Sequence, residues 1–84
     1  MGKLGLLGAG LAAVGVAHFI APKIFVPITE GAFPEDTDKW IKVNGASETA
    51  IGLAIAAPAT RKLGFAGLGI YTAWLGINGA KSLG

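Results

Sequence analysis

The chain has no cysteine, and only 14% of its 84 residues are charged. The lack of cysteine excludes disulfides, thiolate metal sites and thiol catalysis. Soluble globular domains carry roughly 25% charged residues. The low charge content is accompanied by 52% hydrophobic residues and a mean hydropathy of +0.61. An integral membrane protein, with the lipid bilayer as its surroundings, is therefore the first hypothesis.

Features of nucleic-acid binding and of catalysis are also missing from the sequence. The net charge is only +2, and the chain lacks a basic stripe with interleaved aromatic residues, so nucleic acid is not an expected partner. The glycines are dispersed instead of forming a phosphate loop after a strand. The single histidine, His18, cannot make a metal site alone and has no second haem ligand. We therefore predict no catalytic residue and no metal, and a chain that is not itself an enzyme.

Three long runs with few or no charges organise the sequence. The first holds 19 uncharged residues between Lys3 and Lys23, or roughly 28 Å of helix, close to the ~30 Å hydrocarbon thickness of a bilayer. The second run, 43–60, is interrupted only by Glu48, and the third, 63–80, contains no charge. These runs predict transmembrane helices over about 4–21, 38–58 and 63–80, within a single membrane domain 1–84.

The segment between the first two runs has a different composition. Its 21 residues, 22–42, contain three of the four prolines and four of the five acidic residues. We expect an interfacial loop here, ending in a helix start at "PEDTDKW", where Asp36 or Thr37 could cap the second helix. Trp40 would then anchor that helix in the aromatic belt of the membrane. The predicted fold is an all-α bundle of three transmembrane helices.

Glycine is abundant, with 14 residues in the chain, and small residues let membrane helices approach closely. Pairs of small residues four apart include Gly52 with Ala56 and Gly76 with Ala80. We predict helix packing at Gly45, Gly52 and Gly76. That packing could be within this chain or against a partner subunit.

His18 and Glu48 are expected at the same depth. His18 lies four residues before Pro22, and Glu48 lies five residues into the second run, so both lie ~6 to 8 Å inside the membrane from one side. A carboxylate in a membrane usually faces the bundle and finds a partner, which predicts a contact between the two. The pair could simply hold two helices together, or contact another subunit. It could also be a protonatable site at a quinone headgroup or in a proton relay.

Tyr71 and Trp74 lie three residues apart, on one face of the third predicted helix. They are too deep for a typical aromatic belt. We interpret them as a candidate contact for a quinone or a lipid tail at an interface shared with another subunit, with helix packing or exposure to lipid as the alternative. No cofactor is expected to bind to this chain alone.

The charges beside the predicted spans suggest an orientation. Three spans place the two termini on opposite sides of the membrane. Arg61 and Lys62 form a basic pair in a very short loop, and such loops are enriched in Lys and Arg on the cytoplasmic side. We therefore expect a cytoplasmic N-terminus, in a bacterial inner membrane.

The order of these motifs resembles the DoxX-like family of small membrane proteins. In that family a first span ends in histidine and phenylalanine before a proline, here "AHFIAPKIF". A second span opens with a glycine and a glutamate three residues on, here "NGASETAIGL", and ends at a proline before a basic turn, here "AAPATRKLGFAGL". The similarity covers residues 14 to about 75. Family members commonly have four membrane helices, so this chain resembles a truncated member.

The resemblance implies an association with membrane oxidoreductase systems. We therefore expect a small accessory subunit of a membrane complex, which could be respiratory, positioning a catalytic partner among larger membrane subunits or associating with itself. The alternative is a direct part in quinone or proton chemistry through His18 and Glu48. An ATP synthase c-like rotor is a weaker alternative, because the long segment 22–42 replaces the short polar loop of such subunits.

Overall fold

The fold is all-helical, as predicted. A computed structural model describes residues 2–83, so the first and last residues of the predicted domain 1–84 lie outside the described residues. The described chain forms four α-helices: α1 (Lys3–Ile20), α2 (Val26–Ala32), α3 (Thr37–Ala56) and α4 (Arg61–Leu83). Two 3₁₀ turns, Pro22–Phe25 and Pro58–Thr60, connect α1 to α2 and α3 to α4. The three long helices begin and end within three residues of the predicted spans.

Helices α1 and α3 pack with their backbones in contact. A Cβ atom added to Gly52 would come 2.6 Å from the carbonyl oxygen of Gly8, and one added to Gly15 would come 2.7 Å from the carbonyl oxygen of Gly45. Both distances are too short for a real side chain. The four glycines are therefore what allows these two helices to approach so closely. Gly45 and Gly52 lie in this contact, where helix packing was predicted.

Helix α3 lies between α1 and α4 and packs against both. On the α4 side, a Cβ on Gly64 would lie 2.6 Å from Cγ1 of Ile55, and Ile55 is fully buried. Gly76 differs from the other two glycines for which packing was predicted, because it is exposed and no described atom lies within 4 Å of its Cβ position. The packing predicted at Gly76 is therefore not made within the described chain, since α4 turns this residue away from α3.

The predicted interfacial loop is largely helical, and that prediction was wrong. The 3₁₀ turn at Pro22 and the helix α2 fill its first half, and α2 packs against α3 and α4. Pro22 is the first residue of the 3₁₀ turn, and Pro27 is the second residue of α2. There a missing N–H costs nothing, because the first N–H groups of a helix have no intrahelical partner. The prolines therefore start helices here instead of excluding them.

The start of α3 agrees with the predicted position but not with the predicted cap. Asp36 precedes the helix with φ of 54°, in the left-handed region that Asp tolerates better than most residues. Its side chain makes no capping hydrogen bond to the described residues. The Thr37 hydroxyl instead donates to the carbonyl of Phe33 at 2.8 Å. The Thr37 side chain thus stabilises the turn that precedes the helix, and Asp36 does not accept a hydrogen bond from the first N–H groups of the helix.

The turn between α3 and α4 is tight and its backbone is well satisfied. Pro58 opens the 3₁₀ turn, and the Thr60 hydroxyl donates to the carbonyl of Ala54 at 2.8 Å. Arg61 donates from Nε to the carbonyl of Ile55 at 2.8 Å and from Nη2 to that of Ala56 at 3.3 Å. These side chains provide partners for carbonyl groups that the last turn of a helix leaves free.

Large apolar side chains are mostly outside. Among residues 2–83, fifteen large apolar side chains are exposed, whereas Ile41 and Ile55 are fully buried. Of the described helices, α1 alone is long and apolar enough by length and composition to cross a membrane, and only 28% of it is buried. Signal sequences and core helices of soluble proteins can share that composition. Every 18-residue stretch of α3 includes three charged residues, Lys39, Lys42 and Glu48. That is more charge than the composition of a candidate membrane span allows.

Candidate functional site

His18 and Glu48 meet between α1 and α3. His18 Nε2 lies 3.5 Å from Glu48 Oε2, and both side chains are largely withdrawn from the surface. The other ring nitrogen, Nδ1, donates to the carbonyl of Val14 at 2.8 Å, which fixes the orientation of the imidazole. Nε2 and Oε2 attract each other when a proton lies between them, because two facing lone pairs would repel. The structure thus brings together the two residues that the sequence paired by depth.

Tyr71 is a third member of this cluster. Its hydroxyl donates to Glu48 Oε2 at 2.8 Å, and the residue is 8% exposed. The glutamate is therefore in contact with a side chain from α1 and a side chain from α4. The sequence singled out Tyr71 as a possible ligand contact and did not identify it as the partner of Glu48.

Phe25 covers His18 from the other side. The two rings stack with centroids 3.7 Å apart and planes 15° apart. Phe25 reaches this position because the chain reverses in the 3₁₀ turn that starts at Pro22. This contact was not predicted from the sequence, although the apolar segment after Pro22 contained a usable signal: its phenylalanine lies only seven residues from the histidine.

A cavity of about 340 Å³ adjoins the cluster. Its walls come from all four helices and from the first 3₁₀ turn. Those walls include the polar side chains of His18, Thr29, Asn44, Glu48 and Tyr71. A volume of this size lies at the lower end of the range for small-molecule sites.

The polar residues near Glu48 on α3 differ in whether their side chains have a hydrogen-bond partner. The hydroxyls of Ser47 and Thr49 donate to carbonyls one turn earlier, at 2.9 and 2.7 Å. Asn44 is 5% exposed. Its Oδ1 atom is buried and has no hydrogen-bond partner among the described residues. Asn44 is thus the neighbour with an unused acceptor.

An aromatic cluster lies next to the cavity. Phe33, which is buried, stacks on Trp40 with centroids 4.8 Å apart and lies 5.2 Å from the Trp74 ring. Trp74 lies 6.0 Å from Tyr71. The ammonium group of Lys39 lies 5.1 Å from the centre of the Trp40 ring. Trp40, which the sequence placed in the aromatic belt, is therefore half-buried in a cluster that joins α3, α4 and the residue that follows α2.

Clusters of three or more His, Cys, Asp or Glu side chains that could hold a metal ion are absent from residues 2–83. The cavity instead combines aromatic rings, aliphatic side chains and a few polar groups. Such a lining suits a small, mostly apolar molecule with a polar end.

Comparisons with known proteins give one result. No curated protein and no solved structure matches the chain. A family model described as "Domain of unknown function (DUF8561)" matches residues 7–78, which is most of the chain. The chain therefore belongs to the DUF8561 family.

Proposed function

We propose that the chain is an integral membrane protein in which α1, α3 and α4 cross the bilayer and α2 lies at its interface. The observation that carries this proposal is the inverted burial of its side chains. Glycine and alanine fill the α1–α3 contact, while large aliphatic residues such as Ile20, Ile28, Leu63 and Ile70 are more than 70% exposed. In water these residues would form a costly apolar surface, whereas lipid is a suitable solvent for them.

The positions of the charges support the same proposal. Lys3, Lys62 and Lys81 lie close to the ends of α1 and α4, and the 18 residues between the last two carry no charge. Lys39 and Lys42 lie in the first turns of α3, from which long side chains reach the interface. Glu48, the one charge deep in a helix, has two partners in His18 and Tyr71. That pairing is what an intramembrane carboxylate requires.

The proposed setting is a bacterial inner membrane with a cytoplasmic N-terminus. Arg61 and Lys62 then lie in a cytoplasmic turn, in agreement with the positive-inside rule. The acidic segment around Asp36 lies on the opposite side.

Within this membrane we propose that the chain is a non-catalytic accessory subunit that packs against a larger partner through α4. The side of α4 opposite Tyr71 carries small residues spaced three or four apart, all of them exposed: Ala66, Gly69, Ala73, Gly76 and Ala80. Small residues at this spacing let another helix approach closely. Gly76 has open space around its Cβ position, so the packing expected there is assigned to a partner helix.

The proposed partner belongs to a membrane redox complex, which could be a respiratory one. This part of the proposal depends on the resemblance of residues 14 to about 75 to DoxX-like proteins. The family match gives no link to that family, so the motifs alone support it.

The experiment compares two glycine substitutions in the full chain. Gly76→Leu adds a bulky side chain to the small face of α4, whereas Gly10→Leu adds the same side chain to an exposed position of α1 with equally open surroundings. The tagged proteins are purified in mild detergent, and the proteins that co-purify are identified and quantified. We expect a stoichiometric membrane redox protein with the unmodified chain and with Gly10→Leu, and its loss with Gly76→Leu.

Two outcomes contradict the proposal of an accessory subunit that packs against its partner through α4. One is a homogeneous ring of copies of this chain, which would support a rotor. The other is an equal yield of the same partner from both variants, which would show that the partner does not bind to this face of α4.

A second candidate function is direct participation in quinone or proton chemistry. The contact of His18, Glu48 and Tyr71 beside a cavity favours it, because such a cluster can hold and pass on a proton. Glu48→Gln keeps the shape of the side chain and removes its ionisation. Full turnover of the assembled partner complex with this variant would exclude the chemical role, whereas lost turnover with normal assembly would support it.

A further inference from the structure

A separate cavity, of about 330 Å³, lies where the first 3₁₀ turn and the start of α2 face the first turns of α3. It shares no wall residue with the cavity described above. The wall of this interfacial cavity is formed by Pro22, Lys23 and Val26 on one side and by Asp38 and Lys42 on the other. Asp38 and Lys42 are four residues apart and therefore lie on the same face of α3. The cavity is thus surrounded by two positive side chains and one negative side chain.

The three charged side chains of the interfacial cavity are not paired with one another. Within residues 2–83 the single ion pair is that of His18 with Glu48, so neither lysine of the cavity has a carboxylate oxygen within 4 Å. All three side chains are exposed. Two ammonium groups and one carboxylate can therefore bind a molecule that carries charges of both signs.

The position of the interfacial cavity indicates the source of such a molecule. In the proposed membrane arrangement the first 3₁₀ turn and α2 lie at the interface, where lipid headgroups are found and where lysine side chains recognise them. Ile20 and Ile24, which lie on either side of Pro22 in the chain, are 79% and 70% exposed. A phospholipid matches both features, because it joins a charged headgroup to acyl chains that can cover these isoleucines.

We propose that the interfacial cavity binds the headgroup of an ethanolamine phospholipid. Lys23 and Lys42 hold the phosphate, and the ammonium group of the lipid donates a charge-assisted hydrogen bond to Asp38. A glycerol headgroup has no cation to place beside Asp38, and a choline headgroup has no N–H to donate. The inference rests on the proposed membrane insertion, and it goes beyond the accessory role because it assigns a ligand to the chain itself.

The test is a competition between two lipids that differ only in the methyl groups on the headgroup nitrogen. Dioleoyl phosphatidylethanolamine and dioleoyl phosphatidylcholine are added in equal amounts to the full chain in mild detergent, and native mass spectrometry quantifies each bound lipid. We expect about two- to fivefold more of the ethanolamine lipid, the factor that corresponds to one exposed ion pair. Equal binding of the two lipids by the unmodified chain would overturn the proposal.

Substitutions separate the two parts of the headgroup. The double variant Lys23→Gln with Lys42→Gln should bind less of both lipids, because both carry the phosphate, whereas Asp38→Asn should abolish the preference. Lys81→Gln and Glu35→Gln are the controls, since both residues are exposed and lie outside the cavity wall. A preference that survives Asp38→Asn would overturn the assignment, as would unchanged lipid binding in the double variant.

Two further measurements distinguish the source of the ligand and the state of the chain. Soluble sn-glycero-3-phosphoethanolamine carries the same headgroup without acyl chains, and its displacement of the lipid at equal concentration would overturn a lipid site in favour of a soluble phosphoester. Resistance of the chain to carbonate extraction from dioleoyl vesicles measures membrane insertion separately. The competition uses this chain alone and does not involve the outer face of α4, so this proposal and the accessory role can fail independently.

Discussion

Tyr71 on α4 donates a hydrogen bond of 2.8 Å to Oε2 of Glu48 on α3, and the same oxygen lies 3.5 Å from Nε2 of His18 on α1. One carboxylate oxygen therefore connects the three long helices. Within residues 2–83 these contacts also tie the cavity wall to the packing of the helices. Substitutions at this point test stability and site geometry together.

Glu48→Ala removes the shared acceptor and leaves His18 and Tyr71 without their partner. We expect the free energy of unfolding to fall by about 1 to 3 kcal/mol, the cost of leaving buried polar groups unsatisfied. Glu48→Gln retains an acceptor oxygen and should recover most of this loss. The measurement is unfolding by SDS titration in mixed micelles. Glu30→Ala, at an exposed position of α2, is the control, and equal stability of the two alanine variants would contradict the prediction.

Tyr71→Phe retains the ring and removes the hydroxyl that donates to Glu48. The expected loss is about 0.5 to 1.5 kcal/mol, the ordinary contribution of one hydrogen bond. A double-mutant cycle with Glu48→Ala should show that the two changes are not additive. Thr72→Val is the control, since the Thr72 hydroxyl donates to carbonyls of its own helix. Strict additivity of the two changes would show that the hydrogen bond contributes nothing.

Gly8→Ala and Gly10→Ala should have opposite effects on stability. A Cβ on Gly8 would lie 2.6 Å from the carbonyl oxygen of Gly52, whereas one on Gly10 meets no described atom within 4 Å. Overpacking typically costs about 1 to 3 kcal/mol, and alanine in place of an exposed helical glycine gains up to about 1 kcal/mol. Thermal unfolding of both variants in one detergent compares them directly. A Gly8→Ala protein as stable as the unmodified chain would disprove the close helix contact.

Arg61→Ala should destabilise the end of α3. The guanidinium group donates to the carbonyls of Ile55 and Ala56, and a hydrogen bond from a charged group contributes about 1.5 to 3 kcal/mol. Hydrogen exchange of the last turn of α3 should increase in this variant. Lys62→Ala, at the exposed neighbouring position, should leave exchange unchanged. The same exchange in both variants would mean that the arginine does not stabilise this turn.

The chain contains no cysteine, so single cysteines can report on membrane topology. With three spans, Lys3→Cys and Ala59→Cys react with an impermeant maleimide from one side of the membrane. Glu35→Cys and Lys81→Cys react from the other side. Accessibility of Ala59→Cys and Glu35→Cys from the same side would contradict the three-span arrangement.

The long helices could be predicted because uncharged runs and flanking lysines mark them clearly. The short helix α2 could not, since its proline and its glutamate are also typical of a loop, and its contacts with α3 and α4 stabilise it. The contact between His18 and Glu48 could be predicted because the two residues lie at similar distances along their helices from the segment that connects those helices.

The rotation of α4 could not be predicted in the same way. Glycine and alanine occur on several sides of this helix, so its sequence gives little indication of which side faces α3. Tyr71 was therefore noticed as an aromatic residue and not as the donor to Glu48. The unpaired acceptor of Asn44 depends on side-chain geometry, which no sequence pattern specifies.

The two sides of α3 are held by different kinds of contact. Towards α1, backbone meets backbone at four glycines, Gly8, Gly15, Gly45 and Gly52. Towards α4 the backbones meet at Gly64, and further along α4 the contact is made by side chains, such as that of Tyr71 with Glu48. The α1–α3 contact therefore tolerates no side chain at these four positions, whereas the α3–α4 contact beyond Gly64 can accept other side chains of similar size.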